Sequence, residues 1–373
     1  MRETSKHTST PALLAFALSC FFIIDSSSGQ DLDFDTSKVL GTEQANCKQC
    51  HPSETTHWHK TTHALSLNRL EYTGNSKKYA DALGISQATL KTTSTCADCH
   101  GTKSESSGVV KLISGVSCES CHGGAKDWLK PHAEYFEGHK FSDLKTLREE
   151  RLQETPEHRL ARMKSTHDAG MIRPDMLHDL AKNCMNCHIV DDEKLVAAGH
   201  KAASAFELTS WLNGEVKHNF FMDPDKNADA PSLWMEAHQK TAEQRNRMKF
   251  VVGGMVQIET ALERRAIASN PAYIPQVGGL VAVGNGKLAQ ANAMAPTPQT
   301  QSAAGIVGPL MGILFVPQPT DKETFSSTAK KISEHTKAFI KENDGSQLPG
   351  LDPLIKALPP HYSQQFKEKH LGK

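Results

Sequence analysis

Apolar positions form one unbroken run near the start of the chain and periodic patterns after it. The run is PALLAFALSCFFII at 11–24. Its length suits the core of an export signal and is short for a membrane span, which needs about 20 residues. Arg2 and Lys6 precede it, and DSSSGQ follows with small residues for cleavage near Gly29. The reading is a signal peptide over 1–29, removed from a periplasmic or extracellular mature chain. Cys20 lies inside the run and is read as lost with it. No later segment is long and apolar enough to span a bilayer.

Downstream, the spacing predicts helices over 53–70 and 75–92, with Ser53 and Asn75 as caps. SGVVKLISGVS reads as a short hairpin, the one β element expected. Residues 143–183 are charged and helical, with GMIRP breaking the pattern at Pro174. DMLHDLAKNCMNCH resumes it. Apolar residues at 248, 251, 252, 255, 258 and 262 make one helical stripe within 232–266. Gly253 and Gly254 would cost that helix about 1 kcal/mol each, which predicts a close neighbour or a kink. Met248 and Met255 on the stripe are read as packing rather than as ligands. GNGKLAQANAMAPTPQTQSAAG, 284–305, reads as a low-complexity linker or exposed loop. TFSSTAKKISEHTKAFIKEN is read as a last amphipathic helix, packing on 232–266. The fold class is mainly α, with a domain over 30–222 and a C-terminal helical region over 223–373.

Composition changes this picture in one respect. Only 38% of the residues are apolar, below the usual figure of about 45–50%, so something other than aliphatic side chains helps to fill the interior. The 42 basic and 42 acidic residues balance, which points to neither nucleic acid nor a membrane surface as partner. No phosphate loop, nucleophile elbow or dinucleotide fingerprint is present.

The filler is suggested by nine cysteines and 19 histidines. Apart from Cys20, every cysteine belongs to a Cys-X-X-Cys-His unit: Cys47, Cys50 and His51; Cys96, Cys99 and His100; Cys118, Cys121 and His122; Cys184, Cys187 and His188. This is the attachment motif of c-type haem. The two thiols add to the vinyl groups, and the adjacent histidine reaches the iron from the same face. Zinc knuckles do not require a histidine at that offset. A redox dithiol would occur once, on a thioredoxin-like background. Four disulfide loops would explain the even count in an exported chain but not the four histidines. The expected cofactors are four covalently attached c-type haems.

A haem iron has a second axial position. Histidine there makes a low-spin electron-transfer centre, whereas an open position can bind a small ligand. His63 follows His51 by 12 residues and His200 follows His188 by 12, as though one unit were repeated. His132 lies ten after His122, and His218 closes the region. These four are the candidate distal ligands. His57, His59, His167, His178 and His238 are reserves.

With those residues in view, the chain resembles the tetrahaem cytochrome c-554 family. CKQCHPSETTHWHKTTHA is similar to that family's first motif, and GVSCESCHGGAKDWLKPHAE to its third. The likeness covers 44–135 well and 180–190 by motif. It implies closely stacked haem pairs with crossed ligation: His63 on the haem of Cys118 and Cys121, and His132 on that of Cys47 and Cys50. It also implies an open second haem at His100. The extra histidines at 190–220 depart from that pattern, because His200 or His218 could close the site.

The function expected first is electron transfer between exported redox proteins, one a donor and the other an acceptor. The alternative is a reductase or oxidase of a small nitrogen or sulfur species at an open iron, and the resemblance lends it weight because family members act around hydroxylamine oxidation. An electron carrier is preferred to a catalyst. A third role, partner docking by the C-terminal half, stands beside the simpler reading of that half as a helical cover over the haem edges.

Overall fold

The three-dimensional description rests on a computed structural model and covers residues 35–92, 94–136, 153–216, 241–317 and 322–371. The expected signal peptide and the expected domain boundary at 222/223 lie outside these residues, as do His218 and His238.

The first half is a series of short helices, each motif sitting at the end of one. They are α1 (Cys47–Cys50), α2 (Pro52–Trp58), α3 (Gly74–Leu83), α4 (Gln87–Leu90), α5 (Thr95–His100), α6 (Cys118–His122) and α7 (Leu129–His132). After them come α8 (Pro156–Asp168), α9 (Leu177–His188), α10 (Glu193–Ala197) and α11 (Leu208–Asn213). A helical turn puts the two motif cysteines on one face, at i and i+3, with the histidine at the helix end. Ser120 Oγ accepts from Ser117 N at 3.1 Å, one arm of a capping box, which marks where that motif's helix begins. The continuous helices expected over 53–70 and 75–92 are broken. His59 to Leu65 is turn, a 3-10 turn covers Ser66–Leu70, and α3 stops at Gly84 with φ +70.

The expected hairpin is present. Strands β1 (Thr102–Ser106) and β2 (Val109–Ser114) pair antiparallel. Ser107 and Gly108 both have positive φ, 53 and 75, as a two-residue primed turn requires. The hairpin draws the second and third motifs together. Thr102 Oγ1 donates to Gly115 O at 2.8 Å, lies 2.6 Å from Ser120 Oγ, and accepts from Ser117 N at 3.0 Å.

The second half is a helical bundle of α12 (Ala242–Ile267), α13 (Ile274–Met294), α14 (Pro298–Val307) and α15 (Lys322–Glu342). The stripe at 248–262 is its axis: Met248, Val251, Val252, Met255, Ile258 and Leu262 are all buried. The helix expected over 324–343 is α15, and it packs on α12. A 3-10 turn, Pro349–Leu351, and the short helices α16 (Asp352–Lys356) and α17 (Gln364–Phe366) follow, so α15 is not the last element. One expectation is corrected outright. Residues 284–305, read as a linker or loop, are the second part of α13 and most of α14. Glycine and alanine there serve close helix packing rather than flexibility; a Cβ on Gly284 would lie 2.6 Å from Ile258.

The bundle packs directly on the fourth motif's helix. α9 lies against α12 and α15, and Leu177, Ala181 and Met185 join the same buried cluster as Val252 and Met255. Gly253 allows this approach, since an added Cβ would come 2.8 Å from Leu208 Cβ on α11. A polar network crosses the joint: His178 Nε2 meets Glu259 Oε2 at 2.9 Å, Lys182 pairs with Glu259 at 3.3 Å and with Glu263, and Ser333 Oγ lies 3.1 Å from His178 Nε2. No described helix is long and apolar enough to cross a membrane.

Candidate functional site

Two imidazoles on opposite faces of one iron, each bonded through a ring nitrogen at about 2 Å, have centroids about 6 Å apart. Among the described residues, three pairs of histidines stand at that spacing, each joining a motif histidine to one from elsewhere. His51 and His132 are 6.1 Å apart and nearly parallel, at 23°. His100 and His200 are 6.5 Å apart at 72°, and His63 and His188 are 6.0 Å apart at 82°. His63 therefore faces the fourth motif, not the third as the resemblance implied. His200 faces the second motif, whose distal side the resemblance left open.

Hydrogen bonds fix three of the histidine rings, those of His122, His188 and His200. Ile172 O lies 2.8 Å from His122 Nδ1, which leaves Nε2 for the iron. His188 Nδ1 bonds Ser204 Oγ, and His200 Nδ1 bonds Lys201 O at 2.8 Å. His132 Nδ1 is buried with no hydrogen-bond partner among the described residues. Burial holds the imidazoles neutral, as iron ligands must be: His188 is pushed down to about 3 and His100 to about 4, and His63, His122 and His132 are lowered for the same reason.

The reserve histidines serve elsewhere. His57 Nε2 meets Glu215 O at 2.8 Å, and His178 is committed to Asp179 and Glu259. His59 and His167 are exposed.

None of the eight motif cysteines is paired in a disulfide among the described residues. Nor do three His, Cys, Asp or Glu side chains gather anywhere among the described residues as they would around a bare metal ion. The thiols instead meet between motifs. Cys47 neighbours Cys118, Cys99 neighbours Cys187, and Cys121 neighbours Cys184. Burial pushes Cys121 and Cys184 up to about 12, so both are protonated at neutral pH. In space the motifs thus run first, third, fourth, second. The histidine spacing, the neutral rings and the thiol positions together fit c-type haem.

Residues 46–123 match the family model of cytochrome c554 and c-prime. The match bears out the resemblance over the first three motifs, and covalently bound c-type haem with its iron is the cofactor that the family carries. No curated protein and no solved structure matches the chain.

Several residues that hold the sites carried no sequence signal. Glu119, inside the third motif, is fully buried and accepts Leu40 N at 2.9 Å, Gly41 N at 2.7 Å and Ala125 N at 2.8 Å. Ser66 Oγ donates to His63 O and His100 O and accepts from Val116 N, tying His63 to the second motif and to the entry of the third. Near the fourth motif, the C-terminal tail crosses α11. His361 stacks on Trp211 at 4.3 Å and 15°, and Trp211 lies 5.2 Å from His188. Glu215, also fully buried, secures this tail by accepting Ser363 N at 2.8 Å and also accepts Thr62 N, beside His63. The acid–amide pattern of Glu119 and Glu215 depends on which backbone passes by, and His361 lies far along the chain from every motif. Spacing could find neither.

Proposed function

We propose that the chain is an exported tetrahaem c-type cytochrome that carries electrons between periplasmic redox partners. The observation that carries this reading is the three histidine pairs at trans-ligand spacing, each built on a different motif. When bound, each haem supplies a one-electron centre whose potential is set by its axial ligands, its hydrogen bonds and its burial. The chain's own work is to hold paired neutral imidazoles at the first, second and fourth motifs, to keep water from the edges and to place neighbouring sites in contact. The thiol contacts favour a route in the order first, third, fourth, second. The bundle covers the fourth motif's helix, so the first and second sites are the proposed ends of the route.

Attached haems change the charge balance. The apoprotein is formally neutral, but each ferric haem with two ionised propionates adds about −1. Docking to a basic partner patch should therefore weaken with salt.

The enzyme reading needs an open iron. His200 opposite His100 weighs against it at the second site, where the resemblance placed the opening.

Counting haems per chain by absorbance, then separating high-spin from low-spin iron by EPR, tests the proposal. Four haems are expected, with low-spin signals from the first, second and fourth. Changing His63 to alanine should turn the fourth low-spin signal high-spin and leave the others. Fewer than four haems, or a high-spin second haem in the unaltered protein, would overturn the reading.

A further inference from the structure

Arg173 sits at the bend between α8 and α9 and is only 7% exposed. Its Nη1 reaches Thr166 Oγ1 at 3.3 Å and Met171 Sδ at 3.7 Å. Its Nε is buried and has no acceptor among the described residues. The carboxylate beside it, Asp175, stands 3.7 Å from Nε, beyond hydrogen-bond reach. That Asp175 oxygen is itself buried and without a donor. Arg162, nearby in sequence, shows what full compensation looks like: Glu154 at 2.6 and 2.7 Å, His132 O at 2.9 Å and the Tyr135 ring at 4.6 Å. A guanidinium withdrawn from water is strongly unfavourable without an anion placed against its N–H groups. Burial accordingly pulls Arg173 below the usual arginine range, with Asp175 opposing.

What surrounds Arg173 indicates which anion is missing. The preceding residue, Ile172, binds the proximal histidine of the third motif twice: its carbonyl lies 2.8 Å from His122 Nδ1, and its N–H reaches His122 O at 2.9 Å. The charge of Arg173 acts on both His122 and His132. Trp128, whose ring is 5.7 Å from that of His132, adds a second buried N–H with no acceptor.

We propose that Arg173 is the counter-ion of a haem propionate at the first or third motif, its Nε donating to a carboxylate that the described residues do not supply. The proposal rests on haem being attached there, as the proposed function has it. The planar fork of arginine suits a carboxylate better than a point charge would. A fixed cation beside the macrocycle favours the reduced, less positive iron and so raises its potential.

The test uses the holoprotein with Arg173→Gln and Arg173→Lys. Haems per chain are counted first, and a shortfall in the unaltered protein would overturn the proposed function rather than this assignment. Redox titration of Arg173→Gln should then show one step shifted at least tenfold towards oxidation, which is 59 mV for a single electron. Arg173→Lys, which keeps the charge, should stay within about threefold. Unshifted steps in Arg173→Gln would overturn the proposal. Potentials of the unaltered protein that move with added acetate or phosphate, in a way lost in Arg173→Gln, would overturn it too, because the site would then take a soluble anion. Should Arg173→Gln fail to fold, resonance Raman of the unaltered protein decides: a hydrogen-bonded propionate shifts its bending band in D2O, and no shift rejects the pairing.

Discussion

The buried carboxylate of Glu119 should be among the most costly side chains to remove from the haem-bearing half, although it is only a spacer residue within its motif. It meets three backbone N–H groups, those of Leu40, Gly41 and Ala125, at 2.7–2.9 Å. Glu119→Ala strands all three donors. Each stranded donor costs about 1–3 kcal/mol. Leu40 and Gly41 are only partly buried and can turn towards solvent, so the low end of that range applies, about 3 kcal/mol in all. Glu119→Gln keeps one oxygen. Placed where Oε1 stands, it still accepts from Leu40 and Ala125, and only the Gly41 N–H faces an amide nitrogen. The expected cost is about 1–2 kcal/mol. Urea unfolding of the holoprotein, followed by far-UV circular dichroism, measures both, and the midpoint should fall at unchanged slope. Because thioether-bound haem stays on the unfolded chain, the transition reports folding and not cofactor loss. An alanine variant within about 0.5 kcal/mol of the unaltered protein, or a glutamine variant as costly as alanine, would refute the reasoning.

Other consequences follow from the same contacts. Burial opposes the charge of His178, but hydrogen bonds to Asp179 and Glu259 outweigh it and raise the ring above its ordinary 6.5, with Lys337 working against them. A raised histidine contributes stability that is complete below pH 6.5 and fades as pH rises through the folded value. Stability by urea midpoint should therefore decline above pH 6.5, and His178→Gln should flatten that decline. Gly214 lets the C-terminal tail pass, since an added Cβ would lie 2.0 Å from His361 O; Gly214→Ala should speed proteolysis of the tail about tenfold, read from the first cleavage. Burial opposes the charge of Glu215, but hydrogen bonds from Ser363 and Thr62 hold its carboxyl below the usual range. Glu215→Gln removes a negative charge beside His63 and should raise the potential of the fourth haem in a redox titration.

How far the sequence could be read divides along a physical line. The haem motifs, the hairpin and the stripe of α12 are local patterns, in which every residue that matters lies within a turn or two of the next. Those features were legible. The proposed distal ligands are not local. His63 lies 12 residues after His51, yet the turn from His59 to Leu65 swings it towards His188, held there by Ser66 and by Glu215 at Thr62. Spacing along the chain therefore says that a histidine is delivered but not to which iron. The same limit explains the 284–305 misreading. Glycine, alanine and proline signal a loop when the helix must stand alone, and here they are the small surfaces that let α13 approach Ile258 of α12. A residue whose role is to fit a neighbour can be recognised only once that neighbour is known. Arg173 extends the point beyond the polypeptide. Its Nε has no acceptor among the described residues, and on the proposed assignment such a donor is explained only when a haem propionate is counted as part of the core.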